Sequence, residues 1–535
     1  MPNVEGLRAQ PRTAAERAEA ALGQLLLAFS GTALPDAMAA RLSTSPAAGI
    51  TLFRYLNAVD AQGLRALTDG IQSLAPAGQP FIVAVDHEGG QLIGIGPDAT
   101  LFAGNMALGA ARDTDLTRRV AAAIGRELRA LGVNVNYAPV ADLATQSANP
   151  AVGTRSFGDE PTAVAEHVAA TVRGLGDAGI AATLKHYPGG GEAVSDPHLG
   201  LPAIEGTSER FDQVELVPFR AGIAAGARLV MTGHPALPGL TGERDLPATL
   251  SSAVLRGLLR DELGFEGVAV SDALDMAALP QGRERGLDAV AALAAGQDLL
   301  LLPPDDDHRR VIEANVMHAA ARGLLAEERM AEARMRVARL RAELSLAEGE
   351  PSVVGCADHH RLATELAERS VTLVRDQGGL LPLRSRDGAS IGAIMPQPAD
   401  RTPADTSSSV APTLASAIRD HHQHVAELVV PHAPTASDIA GARGWALAHD
   451  LLIIGSIDAS FEPGQAELVQ ALLTIDVPAV TVALRTPWDL GAYPASSTHV
   501  CTYSVHEPSM VALAAALFGE RPFVGRLPVK SPTWT

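Results

Sequence analysis

Residues 267–272 read Gly-Val-Ala-Val-Ser-Asp, a short apolar run that ends in a hydroxyl and a carboxylate. The same order recurs upstream in FIVAV-DHEGG (81–90), AATL-KH (181–186) and ARLVM-TGH (227–234). Continuous apolar runs of this length are typical of strands buried on both faces of a parallel sheet. These segments therefore predict parallel strands whose carboxyl ends carry chemically active side chains.

Further apolar runs extend this pattern along the first part of the chain. They lie at residues 49–53, 133–140 and 298–302, and segments with helical spacing, such as 115–131 and 209–225, lie between the runs. About seven strand–helix units favour a (β/α) barrel of the TIM type over an open sheet. In such a barrel the carboxyl ends of the strands meet at one mouth, which is where these folds build their sites.

A second α/β pattern follows the barrel. The charged stretch 306–346 predicts one long helix that is solvated or bridges two domains. Strands are then expected at 391–394, 451–454, 479–483 and 499–503, with a loop rich in Ser, Thr, Pro and Asp at 396–409. We expect a catalytic barrel domain at 1–345, a linker at 346–360 and an α/β sandwich domain at 361–535.

Composition narrows the functional classes. The 535 residues include 61 Asp and Glu against 42 Lys and Arg, a net charge of −19. Nucleic acids and anionic membranes are bound by clusters of Lys and Arg, and the sequence contains no such cluster. The composition therefore argues against both kinds of partner. Two cysteines, Cys356 and Cys501, are too few for a disulfide framework, and the apolar stretch 25–29 is too short for a signal-peptide core. We therefore expect a cytoplasmic, globular protein.

The segment KHYPGGGEAVSDPH (185–198) concentrates reactive groups on a glycine-rich loop. Asp196 and His198 are spaced to form a carboxylate–imidazole pair, in which the carboxylate fixes the tautomer and supports proton transfer near neutral pH. Glu192 on the same loop is a rival proton donor. The triple glycine lacks the Lys-Ser/Thr ending of a phosphate-binding loop.

This segment resembles the K-H-F-P-G-x-G…D-S-H signature of the bacterial β-N-acetylglucosaminidase branch of family 3 glycoside hydrolases. GVAVSDALDM (267–276) resembles the strand end that carries the nucleophile of that family. The resemblance also takes in FIVAVDHEGG, GVNVNYAPVADL, GTRSFGDEP and AERSVTLVRDQGGLLPL, from about residue 45 to residue 385. It implies a barrel followed by an α/β sandwich, and a two-domain enzyme of the β-N-acetylhexosaminidase type.

The resemblance also implies roles for single residues. Asp272 would be the nucleophile that forms a covalent glycosyl-aspartate, and His198 would be the general acid/base with Asp196 as its partner. The residues expected to bind the sugar are Asp86, Arg155, Lys185 and His186. A retaining exo-β-N-acetylglucosaminidase of this kind needs no cofactor and no metal. Its expected substrates are small carbohydrates, either cell-wall-derived muropeptides or chito-oligosaccharides, which would give it a part in peptidoglycan recycling.

Three positions depart from the family pattern. Pro197 replaces the serine of Asp-Ser-His, which removes a backbone donor and stiffens the loop. Gln91 replaces an arginine near the sugar, and Gly190 stands where His or Asp is usual. The missing arginine bears on the detailed substrate contacts, and Pro197 bears on the movement of the loop.

Four other readings are open. Within the family, a β-glucosidase or β-xylosidase is the nearest. A metal-dependent amidohydrolase barrel needs His-x-His after its first strand, where this chain has Leu52-Phe53-Arg54. A Schiff-base lyase would use Lys185, and a non-catalytic sugar-binding protein would not need Asp272 and His198 together. In the second domain, the cluster DHHQH (420–424) is interpreted as a solvated helix end or turn rather than a metal site. The domain itself is interpreted as structural or as lining the leaving-group side.

Overall fold

Eight parallel strands form the first sheet of the computed structural model, which describes residues 13–530 except 59, 281, 283, 345, 347, 348 and 385–387. The strands are β1 (Leu25–Leu27), β2 (Gly49–Leu52), β3 (Ile82–Val85), β4 (Val135–Asn136), β5 (Ala181–Tyr187), β6 (Leu229–Thr232), β7 (Val268–Ser271) and β8 (Leu300–Leu301). Their order is β7-β6-β5-β4-β3-β2-β1-β8, and a parallel bridge from Val270 to Leu299 brings the two ends of the sheet together. The predicted barrel is thus confirmed.

Strand β1 was not predicted from the sequence. Its three residues follow a helix after only a 3-10 turn at Leu22–Gln24, so no loop marks where the strand begins. All three leucines are buried, and β1 pairs with both β2 and β8. The barrel therefore has one strand more than the seven runs that the sequence pattern picks out.

An outer ring of helices covers the barrel. Its members are α1 (Ala14–Ala21), α2 (Asp36–Thr44), α3 (Arg54–Asn57), α4 (Ala61–Ser73), α5 (Asn105–Ala111), α6 (Thr114–Ala130), α7 (Pro161–Asp177), α8 (Ser208–Gln213), α9 (Leu216–Ala224), α10 (Pro238–Thr241), α11 (Arg285–Ala295), α12 (Asp306–Ala321) and α13 (Glu327–Glu343), with a π-helix at Ala253–Glu262. Helix α6 illustrates why these segments form helices that pack against the sheet. Asp113 caps its first turn, and buried Leu116, Val120, Ile124 and Leu128 recur every four residues on the face turned to the sheet.

The structure corrects two helix predictions. The stretch 306–346 is not one bridging helix but α12 and α13, separated by a turn in which Gly323 adopts a φ of +72°. Both helices bury apolar side chains against the barrel, among them Val316 and Met330. The segment 209–225 is likewise divided into α8 and α9. Pro218 has no N–H to donate to the carbonyl of Val214, so a continuous helix is disfavoured there.

A second sheet of six strands forms the other half of the molecule. Its strands are β9 (Thr372–Asp376), β10 (Ile391–Pro396), β11 (Val425–Val430), β12 (Leu451–Ser456), β13 (Ala479–Ala483) and β14 (Thr498–Cys501), in the order β11-β10-β12-β13-β14-β9. All neighbours are parallel except β14 and β9. Four of the six were predicted. The two that were not, β9 and β11, are the edge strands, whose partly exposed side chains break the apolar run.

Helices cover both faces of this sheet, as expected for an α/β sandwich. They are α14 (Ala357–Ser370), α15 (Leu414–Arg419), α16 (Ala436–Ala446), α17 (Pro463–Leu473) and α18 (Glu507–Leu517). Helices α15 and α18 share one apolar core, and α16 and α17 share another. Helix α14 packs against α5 of the barrel as well as α18, and it lies across the predicted end of the linker. The outer limits of the predicted domains, residues 1 and 535, lie outside the described residues.

The two halves meet at the mouth of the barrel. The loop after β10 reaches the turn that follows β3, where the backbone N–H of Thr406 donates to the carbonyl of Gln91 at 2.7 Å. From the start of α18 in the second domain, His506 Nε2 lies 2.7 Å from the carbonyl oxygen of Gly90. Across residues 13–530, as far as they are described, no helix has both the length and the apolar character that crossing a membrane requires.

Candidate active site

The polar side chains that were predicted at strand ends come together at the mouth of the barrel. Asp86 follows β3, Lys185 and His186 lie near the end of β5, His234 follows β6 and Asp272 follows β7. All these strands are parallel members of one sheet, so their carboxyl ends open on the same side. The barrel therefore places these groups around one opening.

Lys185 is the centre of a buried ion network. Its Nζ lies 2.5 Å from Asp86 Oδ1 and 2.6 Å from Glu88 Oε1, and its side chain is 1% exposed. Arg155 grips the same Glu88 with two hydrogen bonds, from Nε at 2.9 Å and from an Nη at 2.7 Å. Two carboxylates and two cations thus balance one another, while Asp86, 28% exposed, turns one side towards the opening.

The charges in this network fix each other's protonation. Burial alone would raise the pKa of Glu88, but the guanidinium of Arg155 and the ammonium of Lys185 lower it to about 2. Burial would likewise lower the pKa of Lys185, and the carboxylates of Asp86 and Glu88 raise it instead. Lys185 is therefore held as an ammonium, which makes it a hydrogen-bond donor and a poor amine nucleophile.

His186 is oriented by Asp142, a residue that sequence reasoning did not single out. Asp142 Oδ2 lies 2.7 Å from His186 Nδ1 and accepts a hydrogen bond from the His186 N–H at 3.2 Å. The other oxygen of Asp142 accepts from the N–H of Gly190 at 2.6 Å. The His186 Nε2 atom remains on the side of the opening, 3.4 Å from a guanidinium nitrogen of Arg155.

The glycine-rich loop fits closely against the barrel. A Cβ atom at Gly191 would lie 2.0 Å from the carbonyl oxygen of Leu143, so this position requires glycine. Asn149 Nδ2 donates to the carbonyls of Gly190 and Gly191, both at 2.9 Å. The beginning of the loop is thereby fixed before the chain reaches Asp196.

Asp196 and His198 form the predicted carboxylate–imidazole pair. Asp196 Oδ1 lies 2.7 Å from His198 Nδ1 and accepts a hydrogen bond from the His198 N–H at 2.8 Å. Burial would raise the pKa of Asp196, but these two hydrogen bonds lower it. An ionised partner at Nδ1 leaves Nε2 of His198 as the atom for proton exchange with a bound molecule.

Pro197 ties this loop to the one that follows Asp272. Its carbonyl oxygen accepts a hydrogen bond from the backbone N–H of Ala278 at 3.0 Å. The proline that departs from the family pattern thus loses an N–H, but its carbonyl still serves as an acceptor. The loop that carries Asp196 and His198 and the segment after β7 are joined by this contact.

Asp272 is held as a carboxylate among three imidazoles. Burial alone would raise its pKa, yet His186, His234 and His198, with the N–H of Ala273 at 2.8 Å from Oδ1, keep the pKa below its usual value. The backbone N–H of Asp272 donates to the carbonyl of Thr232 at 3.0 Å. An ionised oxygen at the rigid end of a strand is suited to nucleophilic attack.

His234, whose position at a strand end was noted in the sequence, is a fixed neighbour of Asp272. Its Nδ1 lies 2.6 Å from Thr249 Oγ1, and its Nε2 lies 3.0 Å from the carbonyl oxygen of Ala273. Burial lowers the pKa of His234, although the nearby charge of Asp272 opposes this shift. The carbonyl contact places the proton on Nε2, so His234 holds the segment after β7 rather than offering a free base.

Glu192, the rival acid, points to a different partner. Its Oε1 forms an ion pair with Arg210 at 3.0 Å, and Arg210 also binds Glu215.

Gln91, which stands where the family pattern has an arginine, bridges the two halves of the molecule. Its Nε2 donates to the carbonyl of Ala404 at 3.3 Å, and its Oε1 accepts from Thr154 at 2.9 Å.

Two groups of the site were missed from the sequence, Glu88 and Asp142. Both lie one or two residues beyond predicted strand-end positions, within the quoted segments DHEGG and APVADL. Their importance comes from partners more than forty residues away, Arg155 and His186, which spacing along the chain does not reveal. Among the residues whose positions are described, no group of three or more His, Cys, Asp or Glu is placed to hold a metal ion.

Comparison with known proteins identifies the family of the chain. Residues 18–340 match the N-terminal domain of glycosyl hydrolase family 3. A β-N-acetylglucosaminidase/β-glucosidase of Cellulomonas fimi is 31% identical over 544 residues, which cover 95% of this chain and 93% of that protein. β-Hexosaminidase A of Pseudoalteromonas piscicida is 33% identical over 393 residues, or 68% of this chain, and this chain spans 65% of its length.

A solved structure extends the likeness to both halves of the molecule. The family 3 β-N-acetylglucosaminidase of Paenibacillus sp. str. FPU-7 superimposes with a TM-score of 0.89 at 32% identity, covering 96% of this chain and 98% of that one. The family match takes in more than half of the chain, and the barrel and the second sheet agree with it. The chain belongs to glycoside hydrolase family 3.

Proposed function

We propose that the protein is a retaining exo-β-N-acetylglucosaminidase that removes terminal β-linked N-acetylglucosamine. The observation that carries this proposal is the presence, at one barrel mouth, of an ionised Asp272 and of His198 hydrogen-bonded to Asp196 at 2.7 Å. A retaining glycosidase needs one carboxylate nucleophile and one proton donor, and these groups supply both.

In the first half of the reaction, Asp272 attacks the anomeric carbon while the bond to the leaving-group oxygen breaks. His198 Nε2–H gives its proton to that oxygen, and the negative charge of Asp196 stabilises the imidazolium before transfer. The products of this step are a glycosyl-aspartate and the free alcohol. The remaining imidazole is then neutral.

In the second half, a water molecule replaces the leaving group. Neutral His198 accepts a proton from the water as the oxygen attacks the anomeric carbon, and the bond to Asp272 breaks. The released sugar keeps its β configuration after two inversions, and Asp272 and His198 return to their first protonation states. No cofactor enters either step.

The buried ion network accounts for sugar binding in this proposal. Asp86 accepts hydrogen bonds from sugar hydroxyls through its exposed side and Lys185 donates, while Nε2 of His186 is the ring nitrogen available to a further hydroxyl. Arg155 has its Nε and one Nη on Glu88 and its other Nη on the carbonyl of Ala151 at 3.1 Å, so it acts mainly by holding Glu88 and the network in place. Its part is that of a positioning residue.

The acetamido preference is proposed on the names of the relatives, several of which are β-hexosaminidases or β-N-acetylglucosaminidases. Chito-oligosaccharides and cell-wall-derived muropeptides both present such a terminal sugar, and we propose them as the natural substrates, with a role in peptidoglycan recycling.

The two free cysteines, one of them buried, support a reducing compartment such as the cytoplasm.

Rates of 4-nitrophenolate release from the β-N-acetylglucosaminide and the β-glucoside test the proposal. We expect kcat/KM to be higher for the acetamido sugar by about 100-fold, because polar groups that bind the acetamide are left unpaired with glucose. A β-glucosidase is the second candidate, since the name of the Cellulomonas fimi relative includes both activities.

Equal values for the two sugars would move the protein to the glucosidase branch. The nucleophile is checked on the same protein with a slowly hydrolysed fluorosugar, which should label the peptide that contains residues 270–276. The matched variant Asp272→Asn should remain unlabelled. A label on another peptide, or product of inverted configuration by NMR, would contradict the assigned mechanism.

A further inference from the structure

An open pocket of about 380 Å³ lies between the barrel and the second domain. The loop after β5 forms one wall, with Val194, Asp196 and Leu199. Arg401 and Thr402, from the loop after β10, form the opposite wall. Val194 is 67% exposed and Leu199 84% exposed, so the barrel wall offers apolar surface to a ligand.

The pocket lies on the side of the site from which a leaving group departs. The proton donor of a glycosidase acts on the leaving-group oxygen, so the leaving group has to lie beside His198. Asp196, the hydrogen-bond partner of His198, is part of the pocket wall. A molecule joined to a sugar at Asp272 therefore extends past His198 into this space.

The second sheet places its own ligand-binding edge at the same position. The connection after β10 leads to β11 on one side of the sheet, and the connection after β12 leads to β13 on the other side. The loops after β10 and β12 therefore flank the point where the strand order reverses. Crevices at such points are where α/β sheets bind ligands. The loop after β10 carries Arg401, and the loop after β12 carries Asp458 and Phe461.

The guanidinium of Arg401 is held in place but retains its hydrogen-bonding capacity. It lies over the ring of Phe461 at 3.9 Å. It also forms an ion pair with Asp458 at 3.6 Å, which is beyond hydrogen-bond distance, and among the described residues its side chain makes no hydrogen bond. Asp458 is bound instead by Arg485 at 2.8 Å, and the same Arg485 binds Asp405 at 2.7 Å.

We propose that this pocket binds the leaving-group part of the substrate and that Arg401 recognises a carboxylate on it. The inference rests on the proposed glycosidase function and adds the charge of the leaving group to it. A planar guanidinium with free N–H groups matches a carboxylate with two parallel hydrogen bonds. The nearby carboxylates of Asp196, Asp405 and Asp458 favour a monoanion over a doubly charged group.

The test uses aryl β-N-acetylglucosaminides that differ in one charge. The 3- and 4-carboxyphenyl glycosides are each compared with their methyl esters, and the ratio of kcat/KM for acid over ester is measured in the wild type and in Arg401→Gln. We expect this ratio to fall by about tenfold in the variant, in keeping with the loss of a charged hydrogen bond. Any general effect of the substitution cancels in the ratio.

Two further variants make the result specific. Arg401→Lys keeps the charge but not the planar fork, and its ratio should lie between those of wild type and Arg401→Gln. Arg443→Gln removes a positive charge from α16 of the same domain, where Arg443 binds the carbonyl of Ala471, and it should keep the wild-type ratio.

An acid-to-ester ratio that is the same in wild type and Arg401→Gln, for both isomers, would overturn the proposal while leaving the glycosidase function intact. Absence of turnover of every aryl N-acetylglucosaminide by the wild type would instead overturn the proposed function, and this inference with it. The two failures are therefore distinguishable in one set of measurements.

Discussion

At the scale of single residues, the choice between His198 and Glu192 shows what the structure adds to the sequence. Both lie on the loop after β5, and most glycosidases use a second carboxylate as the acid. Glu192 forms an ion pair with Arg210 at 3.0 Å, whereas His198 has an ionised carboxylate at Nδ1, and its side chain is 23% exposed. The surroundings of the two side chains therefore favour the imidazole as the proton donor.

This assignment predicts a dependence on the leaving group. His198→Ala should reduce kcat/KM on an N-acetylglucosamine disaccharide by about 100-fold or more, the usual contribution of a general acid. The loss on the 4-nitrophenyl glycoside should be much smaller, because nitrophenolate needs little protonation. Steady-state kinetics on both substrates provide the measurement.

Glu192→Gln is the matched variant, since it removes a carboxylate from the same loop. It should change both activities modestly and by similar factors, as expected for the loss of a partly exposed ion pair. If Glu192→Gln instead shows the dependence on the leaving group and His198→Ala does not, the Asp196–His198 pair has only a structural role.

At the scale of elements, the strands of both sheets could be predicted where both faces are buried. β2, β3, β6, β7, β10, β12 and β13 read as apolar runs because parallel strands under helices have no polar face. The edge strands β9 and β11 mix polar and apolar residues and give no such run. Strand β1 does lie in an apolar run, but no loop separates it from the preceding helix, so the run was not recognised as a strand. Strand-end polar residues could be predicted in the same way as the strands.

The contacts between those residues could not be predicted. Whether Arg155 meets Glu88, or Asp142 meets His186, depends on how loops from different strand ends fold over the mouth. One sequence without its fold gives residue types and their order along the chain, but not the distances between side chains. The catalytic roles of Asp272 and His198 likewise remain predictions until a variant is measured.

The loop after β5 predicts a sensitive position at Gly191. Gly191→Ala would place a Cβ 2.0 Å from the carbonyl of Leu143, so the loop has to move. That movement should weaken the Gly190–Asp142 hydrogen bond that orients His186. We expect a loss of about 1–3 kcal/mol in the free energy of unfolding, typical of steric crowding, together with a lower kcat.

Gly176→Ala provides the matched control, because a Cβ at this position of α7 would meet nothing within 4 Å. Alanine is favoured over glycine inside a helix, so this variant should be as stable as the wild type or slightly more stable. Denaturant unfolding of the two variants decides the matter. Equal stability of Gly191→Ala and Gly176→Ala would contradict the close fit of the loop.

At the scale of the whole molecule, two buried carboxyls give the two halves opposite responses to pH. In the barrel, the pKa of Glu88 is lowered to about 2 by Arg155 and Lys185. In the second domain, burial and the charge of Asp458 raise the pKa of Asp489 to about 6. Glu88 therefore stabilises the fold above its unfolded pKa of 4.5, and this contribution is lost as the pH falls towards 2.

Asp489 acts in the reverse sense. Its folded form keeps the proton up to about pH 6, whereas the unfolded chain releases it near 3.8, so stability falls as the pH rises through this window. The full difference corresponds to about 3 kcal/mol. We therefore predict that the free energy of unfolding of Asp489→Asn, relative to that of the wild type, is higher at pH 7 than at pH 4.

Denaturant unfolding at both pH values measures this difference. Asp489 accepts hydrogen bonds from Ser456 and Ser460, and asparagine keeps the size and one acceptor oxygen of the side chain. The exposed Asp476 of the same domain is the control position, and Asp476→Asn should show the pH response of the wild type. If the stability of Asp489→Asn changes with pH in the same way as that of the wild type, Asp489 is not the source of the predicted loss of stability between pH 4 and pH 7.

The four consecutive residues of the turn from Glu88 to Gln91 contact both the ion network at the barrel mouth and the second domain. Glu88 holds Lys185 and Arg155, while the carbonyls of Gly90 and Gln91 bind His506 and Thr406 of the second domain. The barrel is therefore not an interchangeable module. A chimera that exchanges the second domain has to bring equivalent donors to this turn, or the ion network around Glu88 in the proposed sugar site loses its support from outside the barrel.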